Sequence, residues 1–302
     1  MTINLHQLEI FYAVARLGSF SQAADEMSIS QPAVSIQVQD LERAIGSALF
    51  HRLRRGLQLT DTGRAVFTYA QRIFALMTEM QSTVEDIQGL KSGRLTVGSS
   101  TTPGEYVLPW AIGRFRQRYP GIEVSLSIAN TRIILERINN RELDMGVVGA
   151  SVQGEGLTTF PYVYDEIVII ASPDHPLSKE SELRFTNLEG QNFVLREEGS
   201  ATRLTGEEYL KGLGVSIRVV MELGSNEAVK RAVAAGLGIG IISHFGVIPD
   251  TIAGFIKVLR VKGWECRRPI TVVYRQDRHL PSAQRAFLEF LRMEKPLPPA
   301  PV

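Results

Sequence analysis

Apolar positions recur at helical spacing in three short bursts near the start of the chain. Leu8, Phe11, Tyr12 and Ala15 form a first stripe that ends near Gly18. Ser21 is placed to cap a second, short helix carrying Ala23, Ala24 and Met27, whose small pair lets another helix approach closely. Ser30 caps a third, with Pro32 in its first turn, where a missing N–H costs nothing. In that helix Val34, Val38, Leu41 and Ile45 are spaced 4, 3 and 4 residues apart, a single stripe for burial. At about 100° per residue the opposite face carries Pro32, Ser35, Ile36, Gln39 and Arg43, with Gln31 at the N-terminal tip. Arg52, Arg54 and Arg55 then precede a turn at Gly56, and Leu57 and Leu59 alternate beyond it, the pattern of a hairpin over 52–59. This order of elements is a winged helix-turn-helix, which lays its recognition helix in a DNA major groove.

From Thr60 or Asp61 to Gln88 the chain runs without proline. Val66, Ala70, Ile73, Met77, Met80, Val84 and Ile87 follow a strict 4-3-4-3-4-3 spacing. So narrow a heptad seam predicts coiled-coil pairing of two chains, with packing inside its own domain as the alternative over the first turn or two. Gly89, Ser92 and Gly93 mark a hinge.

Beyond Arg94 the pattern becomes alternating strands and helices. Strands are expected at 95–99, 123–128, 145–148, 167–172, 193–195, 218–222, 239–243 and 270–274. Helices are expected at 110–119, 133–139, 205–213, 226–235 and 281–292. The alternation predicts an α/β fold with parallel sheets, arranged as two lobes joined by crossing strands over a cleft. Strand ends feed hydroxyl-rich junctions: Ser99–Ser100–Thr101–Thr102, Asn130–Thr131, Gly199–Ser200–Ala201–Thr202–Arg203, and Gly224–Ser225–Asn226. Serine, threonine and asparagine are ordinary helix caps, so any single junction says little. Four such junctions converging on one cleft, with Arg203 supplying charge, suit a small anion.

Composition adds exclusions. The 302 residues carry 33 basic and 32 acidic side chains, so bulk charge does not drive nucleic-acid binding. Residues 1–60 are balanced as well, five arginines against five carboxylates, but three of those arginines fall at 52, 54 and 55. The lone Cys266 excludes an internal disulfide and reads as a small apolar filler. No export signal or membrane-spanning run is legible, which points to the cytoplasm. The five histidines are scattered without a nucleophile or metal partner, and neither a Walker loop nor GxGxxG after a strand occurs, so an enzyme is not expected and no cofactor or metal is called for.

The head resembles the LysR-type transcriptional regulators. The resemblance is carried by Ala23-Ala24, Ser30-Gln31-Pro32-Ala33-Val34-Ser35, Leu41-Glu42, Ile45-Gly46, Leu49-Phe50, Arg52, and Leu59-Thr60 with Gly63. It continues through the long linker helix into a two-lobed effector domain similar to periplasmic binding proteins. The expected organisation is 1–60 for the head, 61–90 for the linker and 91–302 for the effector domain. Lobe I would cover about 94–164 and 266–295, lobe II about 165–265. The resemblance implies dimerisation through 61–88, a tetramer built as a dimer of dimers, binding and bending of double-stranded promoter DNA, and contact with RNA polymerase. It further implies DNA contacts at Gln31, Pro32, Ser35, Arg52, Arg54 and Arg55, to which the exposed face of the third helix adds Ile36 and Gln39. An anionic metabolite between the lobes would meet Ser100, Thr101, Thr102, Thr131, Ser200, Thr202, Arg203 and Asn226. The run 196–203 is similar to the branch regulating sulfur assimilation or carbon fixation, although Ala201 stands where glycine is frequent. A solute- or anion-binding protein without a DNA role is the rival reading, disfavoured by the head.

Overall fold

The structure, a computed structural model, describes residues 3–52, 57–87, 93–276 and 280–295. It divides into two compact units, the first running to Gln81 and including Asn140–Glu142, the second made of the remainder from Ser82 on.

In the first unit α1 (Leu5–Leu17), α2 (Phe20–Glu26) and α3 (Gln31–Ile45) precede an antiparallel hairpin of β1 (Phe50–Arg52) and β2 (Leu57–Leu59). Asn4 caps α1, and Gly18 ends it with φ 65°, a left-handed conformation that glycine adopts without penalty. The cap of α2 is Ser19 rather than Ser21. Its side chain accepts from the Gln22 amide at 3.3 Å, and Phe20, one residue on, meets Phe50 edge-on. Ser30 caps α3 as expected, accepting from Ala33 N at 3.4 Å. Val34, Val38 and Leu41 are buried with Phe11, Val14 and Ala23, whereas Ile45, in the last turn, is only partly covered. Each large buried side chain of this set is worth about 1.5–3 kcal/mol.

Two polar devices join α3 to the hairpin. Glu42 Oε1 accepts from Leu49 N at 2.7 Å and Phe50 N at 3.4 Å. Thr60 Oγ1 donates to the Ala48 carbonyl at 2.7 Å and accepts from Gly63 N at 2.9 Å, capping α4 (Asp61–Ile87). A Cβ on Gly63 would lie 2.0 Å from the Leu49 carbonyl oxygen, so only glycine fits there.

The heptad seam divides along α4. Ala70 is buried and Val66 partly buried in the head core, and Tyr12 packs on Phe67 and Phe74 at 5.3 and 5.5 Å. Further on Ile73, Met80 and Val84 are 38%, 60% and 47% exposed. The Ile87 side chain and Gln88 lie outside the described residues.

The second unit contains β3 (Gly93–Ser100), α5 (Thr101–Tyr106), α6 (Leu108–Arg118), β4 (Ile122–Ala129), α7 (Thr131–Asn139) and β5 (Met145–Val148). The chain continues with β6 (Leu157–Ala171), β7 (Asn192–Arg196), α8 (Ala201–Gly212), β8 (Arg218–Leu223) and α9 (Asn226–Ala234). It ends with β9 (Ile239–Ser243), α10 (Ile248–Ile252), β10 (Lys257–Val258), β11 (Arg267–Arg275) and α11 (Ser282–Met293). The sheet order is β4-β3-β5-β11-β6-β9-β7-β8, with β10 beside β6. β3 runs parallel to β4 and β5 in lobe I, and β7 parallel to β8 and β9 in lobe II. The antiparallel pair β6 and β11 crosses between the lobes.

The expected strand 167–172 is only the end of β6. Its first half carries Pro161, which pairs with Thr271 beside a register shift in β11, a position where the missing N–H is tolerated. Glycines set the helix–sheet spacing. A Cβ on Gly146 would meet Ile138 Cδ1 at 2.6 Å, drawing α7 onto β5, and one on Gly206 would meet Ile241 Cγ2 at 2.5 Å, drawing α8 onto β9. Those contacts seat α7 and α8 on the sheet, and Thr131 and Ser200–Thr202 lie at the N-terminal ends of these two helices.

Candidate functional site

On α3 the expected DNA-facing residues share one side. Gln31, Pro32, Ile36 and Gln39 are exposed and Ser35 half-buried, with Ile36 at 54%. Gln31 Nε2 donates to Ser35 Oγ at 3.1 Å, so the two polar groups stand as a pair at the helix tip. Arg43 is held by Asp40. Arg52 closes β1 opposite Leu57, but its side chain, with Arg54 and Arg55, lies outside the described residues.

Between the two lobes of the second unit lies a cavity of about 10 Å³, lined by Ser100, Thr101, Thr102, Asn130, Thr131, Arg196, Ser200, Ala201, Thr202 and Arg268. That is space for about one water-sized group. It shares Thr131, Ser200 and Ala201 with an outer groove of about 550 Å³ running between α7 and α8.

Three of the four junctions meet there, and capping does not account for their hydroxyls. Asn130 caps α7, its Oδ1 accepting from Ile133 N at 3.1 Å. Thr131 Oγ1 is therefore spare, and it is buried without a hydrogen-bond partner. Ser200 occupies the cap position of α8 without a side-chain capping bond, and neither its hydroxyl nor that of Thr202 is hydrogen-bonded among the described residues. Of the three only Thr131 Oγ1 is buried from solvent without a partner, a condition that costs about 1–3 kcal/mol and that a polar group in the cavity would relieve.

The first junction does something else. Ser100 Oγ accepts from Gly149 N at 3.0 Å, Thr101 Oγ1 from Arg196 Nη2 at 3.1 Å, and Thr102 Oγ1 from Arg268 Nη2 at 3.2 Å. Thr101 and Thr102 thus hold the two arginines and Ser100 holds the Gly149 amide, so none of the three presents a free hydroxyl.

Two expected site residues lie elsewhere. Asn226 is fully buried behind Arg196, with Oδ1 accepting from Nη1 at 2.7 Å and Nδ2 donating to Glu105 Oε2 at 3.2 Å. Arg203 points into the outer groove, paired with Glu207 at 3.1 Å and Glu222 at 2.9 Å. The cavity's charge comes instead from Arg196 and Arg268, 2% and 4% exposed. Arg268 donates from Nε (3.0 Å) and Nη2 (2.8 Å) to Asp165 Oδ2, and Ser243 Oγ donates to Asp165 Oδ1 at 2.7 Å. Burial raises the Asp165 carboxyl above its ordinary pKa, against the opposing pull of Arg268 and Ser243. A Cβ on Gly149 would sit 2.9 Å from the Arg268 guanidinium carbon, so glycine at 149 lets that arginine lie flat against the chain. Arg196 ends β7 and Arg268 is the second residue of β11, positions that carry little signal in the sequence.

Cys266 lies in the lobe II core, where burial pushes its thiol up to about 12. Among the described residues no cluster of three or more His, Cys, Asp or Glu is arranged to hold a metal ion, and no helix is long and apolar enough to cross a membrane.

A winged helix-turn-helix on an α/β unit with an interlobe pocket defines the class as a DNA-binding regulator with an effector domain. Residues 5–64 match the family described as "Bacterial regulatory helix-turn-helix protein, lysR family", and residues 88–295 match "LysR substrate binding domain". The chain belongs to the LysR family of transcriptional regulators. It is 38% identical over 288 residues to the HTH-type transcriptional activator CmpR of Synechocystis, spanning 95% of this chain and 94% of that one. To the RuBisCO operon transcriptional regulator of Allochromatium vinosum it is 36% identical, spanning 97% of each. Among solved structures it is similar to the CcmR regulatory domain of Synechocystis PCC6803 in complex with 2-PG, at 34% identity and a TM-score of 0.63. That match covers 67% of this chain and 97% of the domain.

Proposed function

We propose that the protein reads promoter DNA as an oligomer and that a small anion held between its lobes alters the reading. The observation that carries the effector half is the set of unpartnered hydroxyls on Thr131, Ser200 and Thr202 beside two arginines. A phosphate or carboxylate accepts from all of these groups, and charge-assisted hydrogen bonds of this kind are the strong ones. Relatives named for the RuBisCO operon, and the domain solved with 2-PG, favour a small phosphorylated or carboxylic acid and a role in carbon assimilation.

For the DNA half, Gln31, Pro32, Ser35, Ile36 and Gln39 enter the major groove, where glutamine pairs with adenine and isoleucine meets a thymine methyl. Arg52, Arg54 and Arg55 reach phosphates or the minor groove. The exposed apolar run Ile73, Met80 and Val84 supplies the pairing surface of a dimer, and dimers assemble further into the tetramer that faces RNA polymerase. Calorimetry of the full chain with 2-PG, inorganic phosphate and sulfate tests the effector half. Heat that disappears in Ser200→Ala and Thr202→Val supports it, and no heat with any of them contradicts it. A gel shift with the DNA upstream of its own gene, with and without 2-PG, tests the link to DNA.

A further inference from the structure

The charges around the inner cavity sum to zero before any ligand arrives. Asp165 matches Arg268, and both side chains are enclosed, at 0% and 4% exposure. Glu197 matches Arg196 as a two-pronged pair, Nε to Oε2 at 2.8 Å and Nη2 to Oε1 at 2.9 Å. Neither carboxylate lines the cavity, so what each withholds from an incoming anion is charge on its arginine, and a net positive charge appears only where one of the two gives way.

Asp165 is not the one. It sits on the crossing strand β6, buried and held by Ser243 as well as Arg268. Glu197 is differently placed. Its side chain is 31% exposed, and Arg196 is its partner among the described residues. Its backbone is fixed independently, the amide donating to Leu223 O at 3.1 Å and the carbonyl accepting from Ser200 N at 3.2 Å. The carboxylate can turn out to solvent without disturbing Ser200. Arg196 stays in place meanwhile, through Asn226 at 2.7 Å and Thr101 at 3.1 Å.

We propose that Glu197 is a resident competitor that occupies the effector's place on Arg196 and is displaced when the anion binds. Its departure leaves the pocket with one net positive charge and frees the Nε/Nη2 edge, a fork that fits two oxygens of an oxyanion. Glu197 thereby sets a threshold. Only a ligand that outcompetes a tethered carboxylate enters, which favours a phosphate dianion over a monocarboxylate. The inference rests on the interlobe pocket being the anion site.

The test is calorimetry of the full chain as wild type, Glu197→Gln and Glu208→Gln, titrated with 2-PG, inorganic phosphate and acetate. Glu208 is exposed on α8 away from the cavity and controls for bulk charge. Glu197→Gln is expected to bind 2-PG and phosphate about tenfold more tightly and to gain measurable acetate binding. Glu208→Gln is expected to match wild type. Glu197→Asp, which keeps the charge on a shorter arm, is expected to shift in the same direction by less. Phosphate should also raise the melting temperature of Glu197→Gln more than that of wild type. Wild-type binding that Glu197→Gln leaves equal or weaker overturns the competitor and leaves the anion pocket standing; no binding by either protein overturns both.

Discussion

Replacing Thr131 by valine should stabilise the empty protein and weaken the liganded one, a pairing of signs that a structural role would not produce. The hydroxyl is buried without a partner, and the cap of α7 belongs to Asn130, so valine removes an unsatisfied group without removing a cap. The desolvation penalty relieved is about 1–3 kcal/mol. For a unit of this size each kcal/mol raises the melting temperature by roughly 2–4 °C. A hydrogen bond to a charged acceptor is worth about 1.5–3 kcal/mol, so affinity for 2-PG should fall about 10- to 150-fold. Thermal melts without ligand and calorimetry with 2-PG read the two effects separately. A variant that melts lower than wild type, or one that binds 2-PG unchanged, refutes the assignment of this hydroxyl to the ligand.

Gly149→Ala drives a Cβ into the Arg268 guanidinium and should weaken anion binding by tenfold or more, read by the same calorimetry, while the fold survives. Lys230 is enclosed between Asp250 and Glu227, so Lys230→Met leaves a buried carboxylate unpaired and should cost about 3–5 kcal/mol in chemical denaturation. Burial lowers the Lys230 pKa, but Asp250 and Glu227 more than compensate, leaving it above the ordinary value. Stability from a raised lysine is complete below the unfolded pKa of about 10.4 and fades as pH rises through the folded one, so wild type and variant should converge only in strong alkali. In the head, Gln31→Ala or Ser35→Ala should abolish specific operator binding in a gel-shift titration and leave the oligomeric state intact by sedimentation. Equal operator affinity would remove both residues from the DNA contact.

The head was legible because its determinants are local. A cap at Ser30 and a stripe at Val34, Val38 and Leu41 need no distant partner to be recognised. Even Gly63 and Glu42, which close on Leu49, act within about twenty residues. The linker was half legible. Its spacing reads as one seam, but Val66 and Ala70 are absorbed by the head core, which also captures Phe67 and Phe74 off the seam. α5 was missed because Pro103-Gly104 reads as a turn, and the first half of β6 because Pro161 interrupts its pattern.

The pocket divides in the same way. Thr131, Ser200 and Thr202 line the cavity, and hydroxyls at strand ends are a local signature. Arg203 shares their junction but lines the outer groove, whereas Arg268, 166 positions from its partner Thr102, lines the cavity. Nothing along the chain announces that Asp165 and Arg268 pair, or that Glu207 and Glu222 claim Arg203. Which cation faces a cavity is decided by tertiary pairing, which sequence spacing does not encode.

The most direct measurement is a crystal structure of the protein grown with 2-PG or phosphate. Density for the anion is expected within Thr131, Ser200, Thr202, Arg196 and Arg268, with the Glu197 carboxylate turned to solvent. An anion bound instead at Arg132 or Arg203 in the outer groove, with the inner cavity empty, would contradict it.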